Sequence, residues 1–279
     1  VKGGWVATGQ PWCYDEQRYR NLDEQRRTEQ QAMLDYQRTD GCRMVFLRGR
    51  LNDPTLQDVE RCGRCDNCAG PRFAAEVDEA AADATRRRLM RPGVEVSPRR
   101  QWPTGLAKLG VGLSGRITDG PAAGRVISRL TDLGWGARLR GLLDGPDREV
   151  PDEVVEAAVA VLAAWDWPTR PTAVMALDSV AHPVLIGSLT ARLGEVGRLT
   201  HLGTLRYAPT RRPVTATNSA YRVAALHDSW QQPGELGVAG PVLLVDDRTD
   251  TGWTLTTAAR VLRSAGIPEV LPFALAAVR

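Results

Sequence analysis

Four of the five cysteines lie between positions 42 and 68, as Cys42 and then Cys62-Gly63-Arg64-Cys65-Asp66-Asn67-Cys68. Each C-x2-C step lets two thiolates curl toward one point, and the distant Cys42 supplies the fourth corner of a tetrahedron. Four soft thiolates suit a closed, structural Zn2+ site without redox chemistry. An iron–sulfur cluster draws on the same ligand type and stays open on spacing alone. Gly63 permits the tight turn, and Arg43, Arg61 and Arg64 can offset the charge of four thiolates around one ion. A redox C-x-x-C sits between a strand and a helix in a pattern missing here. An odd cysteine count with four clustered fits a metal site better than a secreted disulfide frame. Cys13 stands apart as a spare thiol.

A second set of chemistry-bearing residues follows four apolar ones, Val242 to Val245. Asp246 and Asp247 come at the end of what reads as a buried strand. Arg248, Thr249, Asp250, Thr251, Gly252, Trp253 and Thr254 then lead into a helix. Adjacent carboxylates can accept hydrogen bonds from two vicinal sugar hydroxyls. Loop amides, threonine hydroxyls and a helix N-terminus suit a phosphate. A ribose 5-phosphate group fits that order. Leu177-Asp178-Ser179 ends an earlier strand and is the candidate for a pyrophosphate-binding turn.

A third set is cationic. Arg99, Arg100, Lys108 and Arg116 surround Trp102 in sequence. Cations pair with phosphates and an indole can stack on an unpaired base, so this segment is a candidate nucleic-acid contact, the alternative being that Trp102 packs into the segment's own core. Charge supports the placement: residues 71–140 carry 13 basic and 7 acidic side chains, against 11 and 11 before them and 12 and 15 after them. His182, His201 and His227 show no ligand spacing and receive no role.

The elements that must position these residues separate into three regions. Residues 1–70 are charged and Gln-rich, with a helix over Tyr19–Tyr36 and a short helix near Cys42 capped by Asp40. Residues 71–150 form a basic, Gly/Pro-rich linker region. Within it Glu76–Met90 reads as helix, Leu109–Ile117 as short strands or a hairpin, and Gly124–Leu143 as helix broken at Gly134–Gly136. Residues 151–279 alternate. Helices are expected over Asp152–Trp165, Val184–Val196, Asn218–Trp230 and Trp253–Ala265, with strands at Ala173–Leu177, Leu202–Tyr207, Val242–Val245 and Val270–Ala277. The expected fold is therefore an α+β metal module and a basic linker, then an α/β domain with a mainly parallel sheet.

At 279 residues, 43% hydrophobic and 25% charged, the chain has the composition of about two globular domains. Apolar runs such as Ala157–Trp165 are too short for a membrane span, and no charged-then-apolar leader opens the chain. The opening Val1-Lys2-Gly3-Gly4-Trp5 reads as the start of a fragment. No G-x-x-x-x-G-K-[ST] loop occurs, and Lys2 and Lys108 are the only lysines, so ATP hydrolysis is not expected of this chain.

Two resemblances attach to these motifs. From Asp15 to Gly70, a Gln/Arg-rich helix, Cys42-Arg-Met-Val-Phe-Leu and then Cys-Gly-x-Cys-Asp-x-Cys resemble the zinc-binding module of RecQ-family helicases. That module follows the helicase motor lobes, binds structural Zn2+ and contributes to DNA binding. Arg48-Gly49-Arg50 stands where an aromatic residue is usual. Residues 242–254, and more broadly 151–279, resemble type I phosphoribosyltransferases. That likeness implies ribose-binding roles for Asp246 and Asp247, a 5-phosphate loop of Asp250, Thr251, Gly252 and Thr254 with Thr249 beside it, and Mg2+ with an active substrate. Arg248 and the bulky Trp253 depart from that pattern. The combination resembles an actinobacterial-type subgroup of RecQ-like helicases. It implies an accessory region of a cytoplasmic, nucleoid-associated DNA-repair helicase with no catalytic residue of its own. The alternative is a phosphoribosyltransferase acting on a free base or nucleotide precursor, with a structural zinc appendage.

Overall fold

In the computed structural model, which describes residues 9, 11, 13–56, 60–72, 76–208 and 218–278, the chain divides into two units, Val1–Asp78 and Glu79–Arg279. The first unit opens with helix α1 (Glu16–Arg38), started by the Asp15 carboxylate, which accepts the Arg18 N–H at 3.0 Å. Pairs one turn apart line α1, such as Arg27 with Asp23 at 2.9 Å, each worth a few tenths of a kcal/mol. Helix α2 (Arg43–Arg50) is capped by Cys42 rather than by Asp40: the Cys42 carbonyl takes the Phe46 N–H at 3.0 Å. Helix α3 is the single turn Asp66–Ala69. No described residue of this unit is buried.

The second unit contains α4 (Glu79–Leu89), β1 (Val94–Val96), β2 (Gly124–Arg129), α5 (Trp135–Leu143), α6 (Asp152–Ala163), β3 (Ala173–Leu177) and α7 (Pro183–Gly197). It continues with β4 (Thr200–Leu205), α8 (Ser219–Leu226), β5 (Val242–Thr249), α9 (Trp253–Ser264) and β6 (Val270–Ala277). The six strands form one sheet in the order β1-β2-β6-β5-β3-β4, parallel except for β1 against β2. This is an α/β architecture with a mainly parallel sheet. No helix among the described residues is long and apolar enough to cross a membrane.

Side-chain alternation sorts the core into two layers. Val174, Ala176, Leu243, Val245 and Phe273 pack with Leu139, Val154, Ala158, Leu185 and Leu189, from α5, α6 and α7. Ala173, Met175, Leu177, Val242 and Leu244 pack with Leu255, Ala258 and Leu262 of α9. A third cluster joins Trp102, Leu106 and Val111 to Val223, Leu226 and Trp253.

Several sequence expectations change. Gly124–Leu143 is not a helix with one break: its first six residues are strand β2, and α5 begins only at Trp135. Val126 and Ile127 are β-branched and buried in the sheet, and a run this short shows no helical period. Leu109–Ile117 forms no hairpin. A 3-10 turn at Leu106–Leu109 sits between Gly105 and Gly110, both with positive φ, and one bridge joins Gln101 to Arg116. The fourth strand starts at Thr200 rather than Leu202, and α8 ends at Leu226, four residues short of Trp230. Trp230 instead forms a bridge with Tyr207. The segment expected to be a linker thus supplies two strands and two helices, α4 and α5, of the second unit.

The start of α5 lies against the end of β2. A Cβ on Gly136 would stand 2.6 Å from the Arg129 carbonyl oxygen, whereas one on Gly141, in the same helix, would meet nothing. Gly136→Ala should therefore destabilise the second unit by roughly 1–3 kcal/mol. Gly141→Ala should be neutral or stabilise by up to about 1 kcal/mol. Urea unfolding of the two variants checks the contrast, and equal effects would contradict this packing.

Candidate functional site

The metal-ligating geometry starts from two short helices. Cys42 caps α2, Cys65 caps α3, and Cys68 lies within α3. Gly63, with φ of 70°, reverses the chain between Cys62 and Cys65. The four sulfurs all lie within 4.8 Å of one another, and the Cys65 and Cys42 sulfurs are 4.0 Å apart. A tetrahedron with metal–sulfur bonds of about 2.3 Å has edges of about 3.8 Å, so the set fits one tetrahedral ion.

Hydrogen-bond donors favour the thiolate at Cys62 and Cys68, whereas burial pushes the Cys65 thiol up. The Cys62 N–H points at the Cys42 sulfur at 3.3 Å, and the N–H groups of Arg64 and Cys65 point at the Cys62 sulfur at 3.4 and 3.3 Å. Those last two hold the Cys62 thiol below its ordinary range. Burial pushes the Cys68 thiol up, but hydrogen bonds from the Cys65 thiol, the Gly63 backbone and Arg61 outweigh it and bring it to about 6. The residues between the ligands hold the frame. Asn67 Nδ2 donates to the carbonyls of Thr39 and Gly41 at 2.6 and 2.8 Å, and Asp66 pairs with Arg43 at 2.9 Å. Arg61 also donates to the Asn67 carbonyl at 3.2 Å. The four cysteines predicted as ligands are brought together, and Cys13 is exposed and outside the set.

The second site forms where β3 and β5 are neighbours but their following helices leave on opposite faces of the sheet. Such a switch point opens a crevice at the C-terminal strand ends. Asp246 and Asp247 do not follow β5 but lie within it, since pairing with β6 runs through Asp246↔Ala274 to Thr249↔Ala277. Both aspartates are buried. Alternation sends Asp247 to the α7 face, and its Oδ2 accepts hydrogen bonds from Ser179 Oγ and from His182 Nδ1, each at 2.9 Å. Ser179 Oγ in turn accepts the His182 N–H at 3.0 Å. Asp247 Oδ1 takes the Arg248 N–H at 2.6 Å. Three of roughly four acceptor positions on that carboxylate are then in use, which leaves little room for a sugar hydroxyl. Burial first, and the Asp247 charge second, raise the Asp246 carboxyl well above its ordinary range.

The turn after β5 is also engaged. Arg222 Nη1 reaches the Asp250 carboxylate at 3.2 Å and the Thr251 hydroxyl at 3.5 Å, while Arg99 Nε donates to the Thr251 carbonyl at 2.6 Å. Gly252 has φ of 75°, and space around it is open, so its backbone conformation is what favours glycine. Thr249 is buried as the last residue of β5, and the Thr254 carbonyl accepts the Thr257 hydroxyl at 3.1 Å.

Of the expected DNA-contact residues, Arg99, Arg100, Lys108 and Arg116 are exposed. Trp102 is corrected: it is 7% exposed and stacks on Trp253 with ring centres 6.0 Å apart, so no base can stack on it. Its polarity pattern alone could not separate a packed indole from an offered one. His182 is the residue of this buried network that the sequence did not reveal. Its place three residues after Ser179, just before Pro183, is the one local signal, because that Pro opens α7 and fixes the turn. No family model and no curated protein matches the chain.

A carboxyl whose folded pKa is raised contributes stability that is complete below its unfolded pKa, about 3.9. That contribution falls as pH rises toward the folded value. Asp246→Asn removes the loss while keeping the oxygen that accepts the Asp247 N–H at 2.9 Å. The variant's melting temperature should therefore gain on the parent's steadily from pH 4 to pH 8, and a constant offset would contradict it. His182→Ala strips a donor from a buried carboxylate and should cost roughly 1–3 kcal/mol in urea unfolding. The double variant with Asp247→Ala should cost less than the sum of the single ones, whereas strict additivity would argue against the pairing.

Proposed function

We propose that the chain is the C-terminal DNA-binding accessory region of a RecQ-like, ATP-dependent 3′–5′ DNA helicase, with a structural Zn2+ in its first unit. The observation that carries this reading is the convergence of Cys42, Cys62, Cys65 and Cys68 in the pattern Cys-Gly-x-Cys-Asp-x-Cys. A unit with no fully buried side chain among its described residues gains folding energy from such an ion, because ligands brought together by metal do not exist as a site in the unfolded chain. Zinc suits the four thiolates and fixes α2 and α3 at one point.

The α/β unit fits a phosphoribosyltransferase-like fold that has kept its frame and not its chemistry. Asp247 is occupied by protein donors, Asp246 is held toward its neutral form, and Arg222 and Arg99 fill the turn at 250–252. Mg2+ would have a role only with a bound sugar diphosphate. The partners in this reading are the motor lobes and single-stranded or forked DNA.

Elemental analysis should find one zinc per chain. Cys65→Ser should lose it and lose helical signal from residues 15–70, while the melting transition of the second unit stays in place. Cys13→Ser should keep the metal. Full zinc retention in Cys65→Ser would remove the reading of the centre. Coding sequence upstream of Val1 that lacks motor motifs would remove the helicase reading.

A further inference from the structure

The cations at the start of the second unit gather around one cleft. Arg99, Arg100 and Arg116 line it, with Pro98, Ile117 and Pro121 as its apolar wall, and its volume is about 470 Å3. Two backbone bonds and a bridge hold its sides together. The Trp102 N–H donates to the Gly115 carbonyl and the Ile117 N–H to the Arg100 carbonyl, each at 2.9 Å, and Gln101 is bridged to Arg116. Buried Trp102 anchors that pairing in the core.

Arg99 is fixed from the other side. Its Nε donates to the Thr251 carbonyl, and its guanidinium lies 5.1 Å from the centre of the Trp253 ring. Among the described residues no carboxylate forms an ion pair with Arg99, Arg100 or Arg116. The neighbouring Asp119 is taken by Arg260 at 2.8 Å. Three guanidiniums on one cleft repel each other. With no internal counter-charge, an anion is what lowers that energy. Arginine forks match phosphate oxygens two at a time, and the cleft volume falls in the range of small-ligand sites.

We propose that this cleft binds two adjoining phosphates, with Arg100 and Arg116 as direct contacts and Arg99 as the fixed third cation. Two sources share that chemistry, the backbone of a single nucleic-acid strand and a free diphosphate. The site does not draw on the cysteine centre, and only the strand as source rests on the helicase reading. Lys108 lies outside the cleft and Trp102 is buried, so recognition is of phosphate and not of base.

The test uses the whole chain, zinc-loaded, and follows anisotropy of a labelled 15-mer of thymidine from 50 to 300 mM KCl, with inorganic pyrophosphate as competitor. Arg100→Ala/Arg116→Ala leaves the Arg99 contacts intact. It should flatten the slope of log K against log salt by about 1.4, which is about 25-fold in affinity at 0.1 M salt. Displacement by pyrophosphate should disappear with it. Arg138→Ala/Arg192→Ala removes the same charge from ion pairs with Glu153 and Asp152 and should leave the slope unchanged. Binding of pyrophosphate alone, still lost in Arg100→Ala/Arg116→Ala, would support the site with a small diphosphate as its source. Equal strand and pyrophosphate affinities in the parent and in Arg100→Ala/Arg116→Ala would overturn it. Zinc loss in Cys65→Ser with pyrophosphate binding intact would separate the fate of this cleft from that of the metal module.

Discussion

The second unit is organised around the cost of burying a carboxylate. A charged side chain inside a sheet is tolerated only when donors meet it, since leaving it unpaired costs several kcal/mol. Asp247 is met by Ser179 and His182, which belong to the turn between β3 and α7. That turn can therefore take one conformation, and the N-terminus of α7 is set by the end of β5. Ile186, Leu189 and Leu193 then reach the sheet face that Val245 and Phe273 build. Those two hydrogen bonds to β5, together with Asp147, which accepts the Val184 and Leu185 N–H groups at 2.8 and 3.0 Å, hold the start of α7 against the core.

The first unit solves the opposite problem. Its helices are covered with ion pairs and amides, and its described residues are at most partly withdrawn from water. Backbone hydrogen bonds and pairs of a few tenths of a kcal/mol do not offset chain entropy over such a segment. Convergent thiolates do, once an ion joins them. Asn67 and Asp66 then read as struts, because each ties the α3 turn to the chain around α2. The second unit thus draws its order from apolar burial, whereas the first has four convergent cysteines that could hold a metal ion.

The parts legible in the sequence were those whose physics is local. Cysteine spacing states a metal set directly, since two residues between ligands are what a tight turn requires. The run Val242–Val245 and the helix from Trp253 were equally plain, because apolar length and a glycine turn mark them. Strand β2 was hidden. Its neighbours are β1 and β6, and Gly124 lies beside the Pro272 carbonyl, where any side chain would collide, so its conformation is decided by distant residues. His182 was hidden for the same reason, since its partner Asp247 is far away in sequence. The arginine cleft was half visible, as a surplus of charge whose convergence depends on the pairing of residues 100–102 with 115–117.

The pairing of β2 with β6 has a temporal side. Arg125 bonds opposite Phe273, so β2 leaves the ribosome some 150 residues before its neighbour exists. At roughly 5–20 residues per second, that is an interval of about 7–30 s. Until then the only strand neighbour available to β2 is its antiparallel companion β1, and a two-stranded ribbon is marginal by itself in water. The four cysteines, by contrast, are all synthesised within 27 positions of one another and can close on a metal ion at once. Nascent chains would thus carry a first module able to close early and an unfinished sheet, and chaperone demand would fall on the unpaired edge of β2 and on Val126, which packs against β6.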